Sequence, residues 1–171
     1  MRQLNDNVSL RAAAVVRDTR IERHDAELSI GGIQPQEVNA VVDITETVVR
    51  SGKSYAIEPD LARKQIQDCW FTAEHGVRVA ARGDEVVGSS FLKPNQPRPG
   101  AHVANCGCAT AADSTGLGVG RAMCLESMKI TRIRGFRAIQ FDLVLTPNPR
   151  AVRLWRDLGF QKIGRVPMAH R

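Results

Sequence analysis

The stretch Thr115-Gly116-Leu117-Gly118-Val119-Gly120-Arg121 decides how this chain is read. It follows a run of small, strand-compatible residues at 103–111 and opens an apolar-periodic segment that begins at Val119. Glycine adopts positive φ without steric cost and leaves its backbone N–H bare. A helix that starts there points the positive end of its dipole at the same spot. An anionic phosphate tail suits such a place, although a plain tight turn uses the same residues.

Downstream, Val119, Ala122, Met123, Ile130 and Ile133 recur at helical spacing, and Gly135 is placed as a C-terminal stop, so a helix is predicted over 118–134. Residues 138–145 read as the strongest strand, with Ile139, Phe141, Leu143 and Leu145 alternating against Gln140, Asp142 and Val144. Asn148-Pro149 is an N-cap followed by proline in the first helical position, and that helix ends at Gly159 before a short strand at 160–166. Upstream, a strand at 26–30 precedes a helix opened by Pro35 and a second helix over 59–70. A hairpin, 77–82 and 85–92, turns at Gly83-Asp84, and 93–100 is too rich in proline for regular structure.

Residues 1–25 carry no clean period and read as a tail or extra helix outside a single domain spanning 26–171. The expected fold class is α/β of the α+β kind. A mixed, mostly antiparallel sheet is flanked by helices, and one parallel crossover passes through the glycine loop.

A chain of 171 residues with 43% hydrophobic and 25% charged residues can bury a full core without staples. Its net charge of +6 invites a nucleic-acid partner, but the basic residues are dispersed and a single tyrosine offers little for base stacking. The cluster Lys129, Arg132, Arg134 and Arg137 sits where cations meet the negative end of a helix. No apolar run approaches a bilayer span, and Arg11, Arg17, Asp18 and Arg20 interrupt the N-terminal apolar residues, so no membrane and a cytoplasmic location are expected. Cys69, Cys106, Cys108 and Cys124 have no disulfide-framework spacing. The C-x-C pair lacks the second pair or paired histidines a metal needs, so packed thiols and no metal are expected.

Three segments carry a resemblance: G-C-A-T-A-A-D-S-T-G-L-G-V-G-R-A-M from Gly107, Q-F-D-L-V from Gln140, and N-P-R-A-V-R-L-W-R-D-L-G-F from Asn148. Together they resemble the GCN5-related N-acetyltransferase (GNAT) superfamily over nearly the whole of 26–171. The resemblance implies acetyl-CoA as co-substrate, with its pantetheine arm along Ala109, Thr110 and Ala111. The pyrophosphate would lie on amides from Thr115, Gly116, Leu117, Gly118, Val119 and Gly120, with Arg121 close by and Asn148 and Trp155 flanking the sulfur end. The loop K-P-N-Q-P-x-x-G-x-H-V-A-N is similar to that of a small-molecule branch. This implies a small amine or amino-acid acceptor, bordered by His102 and Asn105, with both residues open to plainer roles as hydrogen-bonded strand residues.

An alkyl amine titrates near 10.4, so the site must remove a proton before attack on a thioester. Asp142, on the central strand, is the candidate base, since a lone buried carboxylate has a raised pKa, and Asn105 is a further catalytic candidate. A structural Asp bonded to nearby amides or an Arg is equally open, and the Asn that similar proteins often carry there implies an acceptor-orienting role instead. Two residues depart from the superfamily pattern. Thr115 replaces a usual Arg or Gln, which costs roughly 1.5–3 kcal/mol of phosphate binding. Trp155 replaces the tyrosine that often protonates the leaving thiolate, and an indole N–H cannot do so. Members also usually continue past the equivalent of Gly164 with one more strand. That final strand is missing from the expected order, so another chain in a homodimer, the N-terminal tail, or nothing covers the edge it would close.

Overall fold

A computed structural model describes residues 8–14 and 28–169. The elements in chain order are β1 (Val8–Ala14), β2 (Leu28–Gly32), α1 (Val38–Arg50), α2 (Arg63–Trp70), β3 (Gly76–Arg82), β4 (Glu85–Pro94), β5 (Val103–Thr110), α3 (Val119–Ile133), β6 (Ala138–Leu145), α4 (Pro149–Asp157) and β7 (Gln161–Pro167). They form one seven-stranded sheet in the order β2-β3-β4-β5-β6-β1-β7. Every pairing is antiparallel except β5 with β6.

Helices cover the sheet on two faces for reasons legible in their apolar stripes. Val41 and Ile44 of α1 and Trp70 of α2 pack with Val79 and Ala109 on one side. On the other, Cys124 and Met128 of α3 and Trp155 of α4 pack with Leu92, Ala104, Cys106, Ile139 and Phe141. Full burial of one such side chain contributes about 1.5–3 kcal/mol, and Val41, Ala104, Met123 and Ile139 are completely enclosed. On the solvent side, Arg63 pairs with both Asp43 and Glu46 at 2.6 Å, tying the start of α2 to α1.

The predicted elements are present with shifted ends. The second helix begins at Arg63, not at residue 59, and β4 runs on through Lys93 and Pro94, which the sequence placed in a loop. Pro94 is tolerated because Asn95 carries the next link, donating to the Val103 carbonyl at 2.8 Å.

The N-terminal segment differs more. Residues 8–14, expected as part of a tail or extra helix, form β1 and insert between β6 and β7, while residues 1–7 and 15–27 lie outside those described. Of the three expected covers for the β6 edge, the N-terminal tail is the one found. Two bulges accompany the insertion: Asp142 and Leu143 of β6 stand opposite Arg11 alone, and Ile163 of β7 is the extra residue between Lys162 and Gly164. The first bulge also ends the alternation predicted for 138–145. Val144 joins Phe141 in the core, and Leu143 is 43% exposed.

Candidate active site

The site lies where β5 and β6 part. Their parallel pairing is limited to Val103 with Ala138 and Ala104 with Ile139. Past those pairs, and past the bulge that bends β6, a cavity of about 310 Å³ opens, lined by Tyr55, Phe91, Lys93, Asn105, Cys108, Asp142, Asn148 and Trp155 among others.

At one end of β5 the chain enters the glycine loop. Gly116 and Gly118 adopt φ of +89° and +83°, as the turn requires. Gly118 is the N-cap of α3, and no side chain caps the helix. Thr115 and Leu117, expected to offer their amides outward, turn them inward instead to the Ala112 and Ser114 carbonyls at 3.3 Å. Among the described residues no backbone acceptor takes the N–H groups of Gly116, Gly118, Val119, Gly120 or Arg121. Five open donors at the positive end of a fifteen-residue helix suit a diphosphate, so the residues present fit the phosphate tail of a nucleotide cofactor. The Thr115 hydroxyl is spent on the Ala111 carbonyl at 3.2 Å, and the Val119 side chain is core. Gly120 faces Thr110 and Leu154, where α3, β5 and α4 converge beside the cavity.

Asp142 is not a lone carboxylate. Its Oδ1 accepts from Asn95 Nδ2 at 3.2 Å and Gln140 Nε2 at 2.9 Å, and its Oδ2 accepts from Asn105 Nδ2 at 3.3 Å. Asn105 also donates to Asn95 Oδ1 at 2.9 Å. The network holds Asp142 and Asn105 together in the cavity wall, so Asp142 is not the lone carboxylate expected for a base.

Asn148 caps α4 by accepting from the Ala151 amide at 3.1 Å, and its Nδ2 reaches across to Ser54 Oγ at 3.1 Å. Trp155 is 9% exposed and stacks on Phe141 with ring centroids 4.1 Å apart, an apolar plug at the cavity floor. Ala109 is buried in the α1–α2 core, so only its backbone is available to a ligand. His102 does not line the cavity. It is exposed, with its ring bonded to the Pro99 carbonyl at 2.9 Å, because the turn at 98–102 ends before β5 begins.

Several lining residues, Tyr55, Phe91, Lys93 and Ser54 among them, were not named as site residues in the sequence reading, although Lys93 opens the loop there linked to the acceptor. Tyr55, on the loop between α1 and α2, donates its hydroxyl to the Cys108 carbonyl at 2.8 Å, and burial pushes that hydroxyl well above its ordinary value. Phe91 lies so closely over Gly107 that a Cβ there would stand 2.4 Å from its ring, which explains why Gly107 has no side chain. Lys93 and Ser54 complete the wall. A polar residue next to proline could have flagged Lys93, but no local pattern marks Tyr55 or Ser54, which reach the site only through tertiary packing. Among the described residues no group of three or more His, Cys, Asp or Glu side chains is placed to hold a metal ion, and no helix is long and apolar enough to cross a membrane.

Comparison with known proteins agrees with this architecture. A match to the Acetyltransferase (GNAT) family spans residues 43–160. N-acetyltransferase aca1 from Schizosaccharomyces pombe is 23% identical over 139 residues, which is 72% of this chain and 66% of the relative, so the chain spans just under two thirds of that protein. Among solved structures, a GCN5-related N-acetyltransferase from Kribbella flavida superposes with a TM-score of 0.79 at 38% identity, covering 84% of this chain and 88% of the other. The yncA acetyltransferase structure from Salmonella typhimurium, solved with acetyl-CoA, superposes at 0.73 with 16% identity over 85% and 86% of the two chains, a likeness of fold. With a family match covering more than half its length, and a glycine loop, parted strands and capped fourth helix arranged as described, this chain belongs to the acetyltransferase (GNAT) family.

Proposed function

We propose that the chain is an acetyl-CoA-dependent N-acetyltransferase that transfers an acetyl group to the amine of a small molecule or amino acid. The observation that carries the reading is the junction of two features: five unpartnered amides at the start of α3 and a cavity between β5 and β6 that begins two residues before Thr110. The amides of Gly116, Gly118, Val119, Gly120 and Arg121 would hold the diphosphate, and the parted edge of β5 would align the pantetheine arm. Acetyl-CoA supplies the acetyl group as a thioester, whose thiol leaves readily because it titrates near the cysteine value of about 8.5.

The chain's own residues then have separable tasks. Asn105 and Asp142 orient the incoming amine, and Asp142 offers an acceptor for its proton. Phe91, Tyr55 and Trp155 keep the cavity wall apolar and limit water around the thioester. Asn148 steadies α4 against the loop that carries Ser54.

Isothermal titration with acetyl-CoA, followed by a thiol-release assay over a panel of amines, tests this. Saturable binding and thiol release with at least one small amine are expected. Binding without release across the panel replaces the reading by a CoA-binding module, and no binding at all removes the role given to the loop.

A further inference from the structure

The cavity holds two opposite charges that do not pair with each other. Lys93 and Asp142 both line it, yet none of the ion pairs among the described residues involves Lys93. They are close in the fold. Lys93 stands opposite Asn105 in the β4–β5 ladder, and Asn105 donates to Asp142 Oδ2. An ammonium and a carboxylate thus flank one asparagine, and all three side chains face the same space.

Each charge is incompletely satisfied. A carboxylate offers about four acceptor positions, and three amide donors occupy three of those on Asp142, leaving one on Oδ2. Lys93 is half-buried beside the stacked rings of Phe91 and His75, and its positive charge adds to the burial that holds the His75 imidazole below its ordinary value. None of the ion pairs or side-chain hydrogen bonds among the described residues takes the Lys93 ammonium, so an anion entering the cavity would find an unpaired cation at its wall. A simple alkylamine would answer Asp142 alone, and a diamine would set a second cation against Lys93.

Granting the acetyl-transfer reading above, we propose that the acceptor is a zwitterion, a free α-amino acid, with its carboxylate on Lys93 and its amine on the open position of Asp142. Phe91, Tyr55 and Leu143 supply an apolar wall for the side chain. A cavity of about 310 Å³ that must also admit the thioester end restricts that side chain to a small one.

The test uses matched sets of three compounds, an α-amino acid, its amide and its decarboxylated amine, for three small side chains. Thiol release is measured alongside equilibrium binding to the CoA complex. The amino acid is expected to exceed the other two by about tenfold or more in kcat/KM, as a charged hydrogen bond to carboxylate would give. In Lys93→Met the preference falls to near unity through KM, Lys93→Arg restores most of it, and Lys64→Met on the surface of α2 keeps it. Equal use of the amide or amine by the unaltered chain, or an undiminished preference in Lys93→Met, overturns the proposal. Preferential binding of the amino acid without thiol release sinks acetyl transfer and leaves zwitterion recognition standing. Thiol release from amines regardless of a carboxylate does the reverse, and a chain that binds none of the compounds overturns both.

Discussion

Trp155 lines the cavity with a ring whose indole N–H cannot act as a general acid. Its ring is wedged between Phe141 and Phe160 with centroids 4.1 Å and 5.6 Å away, so it acts by filling space. Trp155→Phe should therefore keep most of the turnover and cost some stability through the smaller ring. A loss beyond about a hundredfold in kcat, the scale of a lost general acid, would refute the plug role. His75 gives a second expectation. Its Nδ1 lies 2.7 Å from the Trp70 carbonyl and so donates to it, and the ring stacks on Phe91 at 4.1 Å. Burial lowers its affinity for a proton below the ordinary value of 6.5; the nearby charge of Lys93 adds to this, while the Trp70 carbonyl and Glu74 oppose it. The unfolded chain then binds the proton first as pH falls. Stability contributed by neutral His75 is complete above pH 6.5 and declines as pH drops below it. Urea unfolding at pH 7 and pH 5.5 should show that decline, and His75→Phe, which keeps the stack, should flatten it.

The glycine loop and the inserted strand are the elements on which the site depends. Gly118 has φ of +83° and leads directly into α3. Gly118→Ala should cost roughly 1–2 kcal/mol of stability from the left-handed backbone. It should also weaken acetyl-CoA binding in calorimetry, because the amides that follow would be re-aimed. β1 is held on both sides, Ala13 standing opposite Gln140 of β6 and Gln161 of β7. Proline at a doubly paired position removes a donor and leaves its ladder acceptor unpaired, at a cost of roughly 1–3 kcal/mol. Ala13→Pro should lower the melting temperature by roughly 5–10 °C and produce concentration-dependent self-association through the freed edges. An unchanged melting curve would mean that β1 does not belong to the sheet. The element order from β2 to β7 could be read locally, since helical spacing, the Gly83-Asp84 turn and the Asn148-Pro149 cap each act within a few residues. β1 could not, because no short-range period marks 8–14 as a strand and its partners on β6 and β7 lie about 125 to 160 residues away.

Across the whole molecule, the four thiols report how the layers pack. Contact with Cys108 and then burial push the Cys106 thiol well above its ordinary value, and burial followed by the neighbouring Cys108 does the same for Cys124. Because the thiolate is the reactive form, a colorimetric thiol reagent should label exposed Cys69 at once, half-buried Cys108 slowly, and the other two only in denaturant. Immediate labelling of all four would contradict the α3–sheet packing. The residues 107–123 and 148–160 specified by themselves a strand, a glycine turn and the starts of two helices, because glycine dihedrals, caps and apolar periods are local properties of the chain, and their motifs carried the family resemblance. Only the tertiary structure decided that Asp142 sits in a cage of three amides, that His102 stands outside the cavity, that Tyr55 and Lys93 stand inside it, and that the N-terminal strand fills the gap between β6 and β7. These outcomes depend on which distant segments come together and where a bulge turns the strand, and no window of neighbouring residues contains that information.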